Sequence, residues 1–441
     1  MERTAMASFQ AWKDTPHRQP LIVEGARQVG KTWLVEEFGR RAYSRTIVVN
    51  FDTATPAHAL FSGGIDIDRI ITGLSLLDRG GPIDPANTLI VLDEIQSRPA
   101  ALTSLKYFAE QAPQYHVIAA GSLLGVELHS GASYPVGKVS FLDLHPLTFR
   151  EFLDAAGEPD LGKLIDVRDF TLSNAFHDRL VELLRWYMYV GGMPAAVDAY
   201  VRTGDARAVR AVQQELLRSY DRDFSKHAPS AVVPKIRAVY NSLPAHLARE
   251  NGKFVYGNVR SGARARDLEP AIEWLVDAGM IHRVNRVSAP RLPLISHEDK
   301  KAFKLFHLDV GLLGAMSDLD EQTLIEPNRL FTEFRGSLTE QYVLQELVAA
   351  GTRPWYWTSR NGAAQVDFLI SAAGEVIPIE VKAATNLKSK SLRVYRDTYT
   401  PPLAVRTSLA PRIVQDELLC LPLYAVSTVV PTAFPPNAGR N

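Results

Sequence analysis

Leu21-Ile22-Val23 is a short apolar, β-branched run, and beyond a glycine-containing stretch Trp33, Leu34, Val35 and Phe38 begin an apolar helical pattern. This predicts a buried strand, a loop and a helix with a broad apolar face. Leu89-Ile90-Val91-Leu92 and His116-Val117-Ile118-Ala119-Ala120 are further runs of the kind that buried parallel strands have. Leu102, Leu105 and Phe108 lie between them at helical spacing, so the segment reads βαβ and predicts a parallel sheet with crossover helices. The sheet is expected to end with Val139-Ser140-Phe141-Leu142-Asp143-Leu144, after which His145-Pro146-Leu147-Thr148-Phe149-Arg150-Glu151-Phe152 turns into a helix.

Farther along, the pattern is helical. Leu180, Leu183, Leu184 and Met188 form an apolar stripe that Gly191-Gly192-Met193-Pro194 interrupts, and a further helix is expected over about 207–222. Tyr220, Asp221 and Asp223 would close it; carboxylates at a helix C-terminus oppose the dipole, so a contact elsewhere, with the N-terminal domain, is expected to favour them. Leu268, Ile272, Leu275 and Val276 follow helical spacing, Gly279 ends that helix, and Met280-Ile281-His282-Arg283-Val284 reads as a strand, an order typical of a winged helix. The last region reads as a helix over Ser337–Leu347 and then a hairpin, Gln365-Val366-Asp367-Phe368-Leu369-Ile370 and Pro378-Ile379-Glu380-Val381-Lys382, around Gly374. The expected division is 1–150, a nucleotide domain; 151–231, helical; 232–318, winged-helix-like; 319–430, α/β; and 431–441, a disordered tail rich in Pro, Gly and Asn.

The chain of 441 residues exceeds the size at which a single core stops growing, which agrees with several domains. Lys plus Arg and Asp plus Glu both total 49, so no global attraction to nucleic acid or membranes is implied and any such contact must be local. Arg260, Arg264 and Arg266 are the candidate phosphate-backbone patch, weighed against a solvated face of a module used for protein contacts. With Cys420 alone, an intramolecular disulfide is excluded. No signal-like apolar core opens the sequence and no run of roughly 18 apolar residues occurs. The expectation is a soluble, cytoplasmic protein without membrane contact.

The chemistry concentrates in three places. Gly25-Ala26-Arg27-Gln28-Val29-Gly30-Lys31-Thr32 fits G-x-x-x-x-G-K-[ST] between the first strand and helix, where backbone N–H groups cradle phosphate. Lys31 would reach the β- and γ-phosphates of ATP and the Thr32 hydroxyl would ligate Mg²⁺. Asp93 and Glu94 end the Leu89–Leu92 run as a Walker B pair, Asp93 for the metal and Glu94 to orient or deprotonate the attacking water. Ser122, after the His116–Ala120 strand, is the candidate γ-phosphate sensor, with a simple capping role as the alternative. In the C-terminal hairpin, Asp367 precedes Glu380 and Lys382, which alternate onto one face. This is the D-(x)n-E-x-K pattern of restriction-endonuclease-like folds, with Glu340 on the preceding helix as a further acidic residue and Mg²⁺ as the candidate ion. The fold class expected is therefore α/β: a P-loop NTPase parallel sheet, then the helical and winged-helix module, then a restriction-endonuclease-like domain.

GARQVGKT, LIVLDEIQ, the Gly121-Ser122 turn, HPLTFREF, YVGGMP, KLFHLDVGLL, VDFLI and IEVKA together make the chain resemble AAA-like P-loop ATPases of bacteria and archaea. Those carry a winged-helix middle and a restriction-endonuclease-like C-terminal domain of unknown function. The likeness runs from about Leu21 to Lys382 and implies ATP binding and hydrolysis while naming no substrate. Such proteins often have an arginine after a glycine near 139, where this chain has Lys138 after Gly137; a lysine finger lacks the bidentate fork and implies slow hydrolysis. Three functions stay open: an Mg-dependent ATPase coupling nucleotide state to the nuclease-like domain, a non-catalytic ATP-switched module binding nucleic acid or protein, and an ATP-regulated nuclease. Candidate partners are nucleic acid, through the Arg260–Arg266 region and the C-terminal domain, a protein, and a second copy of the chain.

Overall fold

The computed structural model describes the chain except residues 54, 63, 123–136, 250–251, 320–335, 384–389, 416–417 and 431–441, so the expected tail lies outside the described residues. Two compact units emerge, Met1–His145 with Asp277–Met280, and Pro146–Val276 with Ile281–Asn441.

The first unit runs α1 (Ala5–Asp14), β1 (Leu21–Glu24), α2 (Lys31–Ala42), β2 (Arg45–Asn50), α3 (Thr55–Leu60), α4 (Ile67–Asp78), β3 (Thr88–Asp93), α5 (Pro99–Gln111), β4 (His116–Ala120) and β5 (Ser140–Asp143). Its five strands stand in the order β2-β3-β4-β1-β5, all parallel. Ile22, Ile47, Ile90, Leu92 and Val117 bury one face under Leu102, Leu105 and Phe108 of α5, and β3 is buried along its whole length. Unbroken apolar runs are what a sheet covered by helices requires. Trp33 departs from the expected apolar face: Leu34, Val35 and Phe38 are buried, while Trp33 is 47% exposed.

The second unit begins with helices α6 (Phe149–Ala155), α7 (Pro159–Asp166), α8 (Phe170–Ala175), α9 (His177–Val190), α10 (Pro194–Thr203), α11 (Ala206–His227), α12 (Val233–Asn241), α13 (Leu243–Leu247), α14 (Tyr256–Val259) and α15 (Ala265–Asp277). Thr148 and Glu151 of the HPLTFREF stretch form a capping box that starts α6. The α11 helix continues past Asp221 and Asp223 to Lys226 and His227, which suit a C-terminus. The dipole conflict therefore does not arise: Tyr220 is buried and Asp221 pairs with Arg237 of α12 at 2.6 Å, within the same unit.

There follow β6 (Ile281–Val287), β7 (Glu298–His307), α16 (Val310–Met316), α17 (Ser337–Ala349), β8 (Trp355–Thr358), β9 (Gln365–Ala372), β10 (Glu375–Val381), α18 (Lys390–Tyr399), β11 (Ala404–Ser408), β12 (Ile413–Gln415) and β13 (Leu418–Pro422). These strands make one mixed eight-stranded sheet, β12-β13-β11-β10-β9-β8-β6-β7. The hairpin β6–β7 follows α15, and β6 also pairs with β8 through Arg286 and Val287. Trp355, Trp357 and Val366 pack with Leu392 and Tyr395 of α18, and Phe306 of β7 lies 5.9 Å from Phe368 of β9.

Three of the sequence stretches meet in this unit. Leu147 N–H donates to Gly192 O at 2.7 Å, and Gly192 N–H donates to the Asp309 carboxylate at 2.6 Å, whose other oxygen caps Leu312 N–H at 2.9 Å. A Cβ on Gly192 would stand 2.0 Å from Leu147 O. Because that obstacle is backbone and cannot swing away, Gly192→Ala is expected to lower unfolding free energy by about 1–3 kcal/mol, toward the upper end. Urea denaturation checks this; an unchanged midpoint would mean the 147–192 contact is not tight in solution.

Candidate functional site

The nucleotide loop joins β1 to α2. Gly25 opens it at φ +139°, and an added Cβ would sit 2.2 Å from Leu144 O, beside β5, so only glycine fits. Gln28 and Gly30 also take positive φ, +64° and +93°, curving the loop into a concavity suited to anions. No side chain caps α2 at its N-terminus, which leaves first-turn N–H groups facing that concavity. Lys31 is buried, its Nζ donating to Gly25 O at 2.9 Å and Ala26 O at 2.8 Å. Burial pushes its pKa down to about 8, against the pull of Glu94 and Asp93 and with a small push from Arg27.

Parallel pairing sets Asn50 beside Asp93 at the ends of β2 and β3. The buried Asp93 accepts from the Thr32 hydroxyl at 3.0 Å and from the Asn50 amide at 3.0 Å, on the same oxygen. A hydroxyl and a carboxylate facing each other are oxygen donors of the kind that fit Mg²⁺. Glu94 follows in a left-handed turn, φ +49°, with its carboxylate accepting from the Gln96 amide. Ser122 lies at the end of β4, the strand between β1 and β3, and is buried, its hydroxyl accepting from Arg27 Nε at 3.1 Å. Asn50 and Arg3 escaped the sequence reading. Asn50 had a signal, a polar residue closing the Thr46–Val49 run. Arg3 had none, yet its guanidinium donates to Val29 O at 3.1 Å and to His145 O at 2.6 Å, tying the loop to the segment that precedes α1. Lys138 precedes β5, whose Ser140 pairs with Leu21 at the start of β1, so it lies at the opposite end of the sheet from the loop, paired with Glu110 at 3.2 Å. It cannot act on a nucleotide bound by its own chain.

In the second unit, the β9–β10 ladder ends at the pair Ile379 and Phe368, and Asp367 and Glu380 are the next residues on either strand. Asp367 is buried and accepts from Val381 N–H at 2.8 Å; Glu380 Oε1 meets Lys382 Nζ at 2.6 Å, and Glu380 Oε2 is buried without a partner. Burial first, then the charges of Glu340 and Glu380, holds the Asp367 carboxyl well above the usual carboxylate range. Glu340 on α17 pairs at 2.9 Å with Lys304 of β7. Lys304 was missed because a lysine inside an apolar strand run carries no local mark of function. Its burial works against its charge, but Glu340, Asp367 and Glu380 outweigh this and hold the ammonium above its ordinary pKa. Among the described residues, no three His, Cys, Asp or Glu side chains are grouped to hold a metal. Arg260, Arg264 and Arg266 are all exposed.

Residues 17–153 match the AAA domain family model. This segment has the P-loop NTPase fold and is similar to AAA domains. Residues 181–323 and 335–425 match two domains of unknown function, DUF8612 and DUF4143. No curated protein matches the chain. Among solved structures, the Walker-type ATPase PABY2304 of Pyrococcus abyssi is 15% identical, over 72% of this chain and 95% of its own, with a TM-score of 0.43. The Aeropyrum pernix Orc1 protein in complex with DNA is 16% identical over 72% and 93%, TM-score 0.29, and Cdc6p from Pyrobaculum aerophilum 13% over 73% and 92%, TM-score 0.26. None of the three superposes well enough to bear on function. No helix among the described residues is long and apolar enough to cross a membrane.

In the AAA domain, phosphate charge beside Lys31 must raise its pKa above the free value of about 8, so nucleotide binding takes up a proton above that pH. ATP affinity is expected to fall from pH 8 to 10, by up to about tenfold per unit. Glu24, just before the loop, is pushed up to about 7 by burial and by Asp143 and is already largely ionised in that window. Calorimetry in buffers of differing ionisation enthalpy checks this; affinity that is flat across the window would remove Lys31 from the phosphate contact.

Proposed function

We propose that the AAA domain hydrolyses ATP in an Mg²⁺-dependent cycle and that its nucleotide state is passed to the C-terminal α/β domain. The observation that carries this is the Thr32 hydroxyl set 3.0 Å from Asp93 beneath the Lys31 loop. Lys31 binds the β- and γ-phosphates once it leaves the Gly25 and Ala26 carbonyls, and the α2 N-terminus and loop amides hold the remaining oxygens. Thr32 and, through water, Asp93 would hold Mg²⁺, which would supply positive charge against the charge that develops on the phosphate. Glu94 accepts a proton from the attacking water when its carboxylate is released from Gln96. Ser122 reports the γ-phosphate through Arg27, which its hydroxyl already engages.

The element order α17-β8-β9-β10-α18-β11, with Asp367 and Glu380 next past the last β9–β10 pair, supports a restriction-endonuclease-like fold for the C-terminal domain. The helix-then-hairpin order of α15, β6 and β7 supports a winged-helix-like module within 232–318, and the four-part division with its borders at 150, 231 and 318 belongs to the same reading. The exposed Arg260, Arg264 and Arg266 are the proposed contact with nucleic acid, whose phosphate charge they suit. A second copy could bring an arginine to the γ-phosphate, and a protein partner could receive the conformational output.

Lys31→Ala is expected to abolish nucleotide binding, since it removes the main positive charge on the phosphates. Glu94→Gln should keep ATP affinity and lower turnover by about 10²–10⁴-fold, because Asp93 and Thr32 stay in place. Calorimetry reads the first and single-turnover phosphate release the second. Equal affinity for wild type and Lys31→Ala would sink the nucleotide-site reading; wild-type release no faster than that of Glu94→Gln would point to an ATP-switched binding module instead.

A further inference from the structure

The carboxylates of the C-terminal cluster already have a cation. We propose that the Lys304 ammonium is the resident cation of the Glu340, Asp367 and Glu380 cluster, standing where a divalent ion would, so that the site is closed to Mg²⁺ and supports no metal-dependent phosphodiester cleavage. Lys304 is fully buried on β7, held in register by its pairing with Val284, and its Nζ meets Glu340 Oε2 at 2.9 Å. Its charge also acts on Asp367 and Glu380. The Tyr356 ring backs the ammonium, its centroid 5.5 Å away, an arrangement that favours a cation held out of water.

Asp367 and Glu380 each have one oxygen engaged as well. Val381 N–H holds one oxygen of Asp367 and Lys382 holds Oε1 of Glu380, which leaves Glu380 Oε2 as the buried carboxylate oxygen with no partner. Mg²⁺ requires about six oxygens at close to 2.1 Å, and here one oxygen of each of the three carboxylates is already engaged by Lys304, Val381 N–H or Lys382. Bringing a doubly charged ion beside a buried ammonium also adds repulsion that the low-dielectric interior screens poorly. The Lys304 and Lys382 ammoniums oppose the carboxylates without any metal, which is how buried charge is tolerated. None of this depends on whether the AAA domain hydrolyses ATP.

Mn²⁺ alone is the probe, titrated into the nucleotide-free full chain carrying Asp93→Asn to silence the AAA domain, with free Mn²⁺ read by electron paramagnetic resonance. Adding Glu380→Gln is expected to leave the titration unchanged, as there is no bound equivalent to lose. Lys304→Met should gain one equivalent, which a further Asp367→Asn removes, while Lys304→Arg should gain none. If the Lys304 site bound one Mn²⁺ without substitution, lost in Glu380→Gln, the proposal would be overturned. A Lys304→Met chain that stays folded by circular dichroism yet gains no Mn²⁺ would overturn it equally. Should Lys304→Met not fold, Lys304→Gln takes its place, and the Glu380→Gln comparison decides without either.

Discussion

Parallel pairing of β1, β4 and β3 is the constraint on which the nucleotide site rests. Strands running the same way end at the same edge, so the loop after β1, Ser122 after β4 and Asp93 and Glu94 after β3 arrive side by side although they are far apart in sequence. Backbone ladders fix this alignment, and the side chains need only short reaches: Thr32 to Asp93, Arg27 to Ser122. The same geometry puts Lys138 at the wrong end of the sheet for its own chain's nucleotide.

Much of the first unit was legible because its signals are local. Unbroken apolar runs mark strands buried on both faces, and the glycine loop must have its residues in a fixed order to wrap a phosphate. Helix ends and tertiary partners were less legible. The α11 terminus was placed too early because Asp221 and Asp223 look like a stop, whereas Arg237 on the next helix neutralises Asp221. Trp33 sits at an apolar spacing yet faces outward, since amphipathic spacing cannot say how wide the covered stripe is. Lys304 was invisible for a related reason: its meaning comes from Glu340 on another element.

The stretches that carried the family likeness divide by role. GARQVGKT and LIVLDEIQ build the proposed phosphate and metal positions, whereas HPLTFREF, YVGGMP and the Asp309 end of KLFHLDVGLL bind one another through Leu147, Gly192 and Asp309. Specific spacing in a motif can thus record a close approach of two backbones as faithfully as it records chemistry.

Helix α17 shows where that leads. Its polar side chains, buried except for the part-exposed Glu340, each hold a different segment: Glu340 the Lys304 ammonium, Gln341 both backbone groups of His307, Gln345 the Val310 N–H and the Tyr187 hydroxyl, and Glu346 the Phe149 N–H at the start of α6. Sliding the helix by one turn would orphan all of these at once, and burying any one of them without its partner costs about 1–3 kcal/mol. The helix therefore acts as a keyway: β7, α6, α9 and α16 cannot loosen one at a time, and drift in the sequence of α17 is confined to changes that its neighbours answer together.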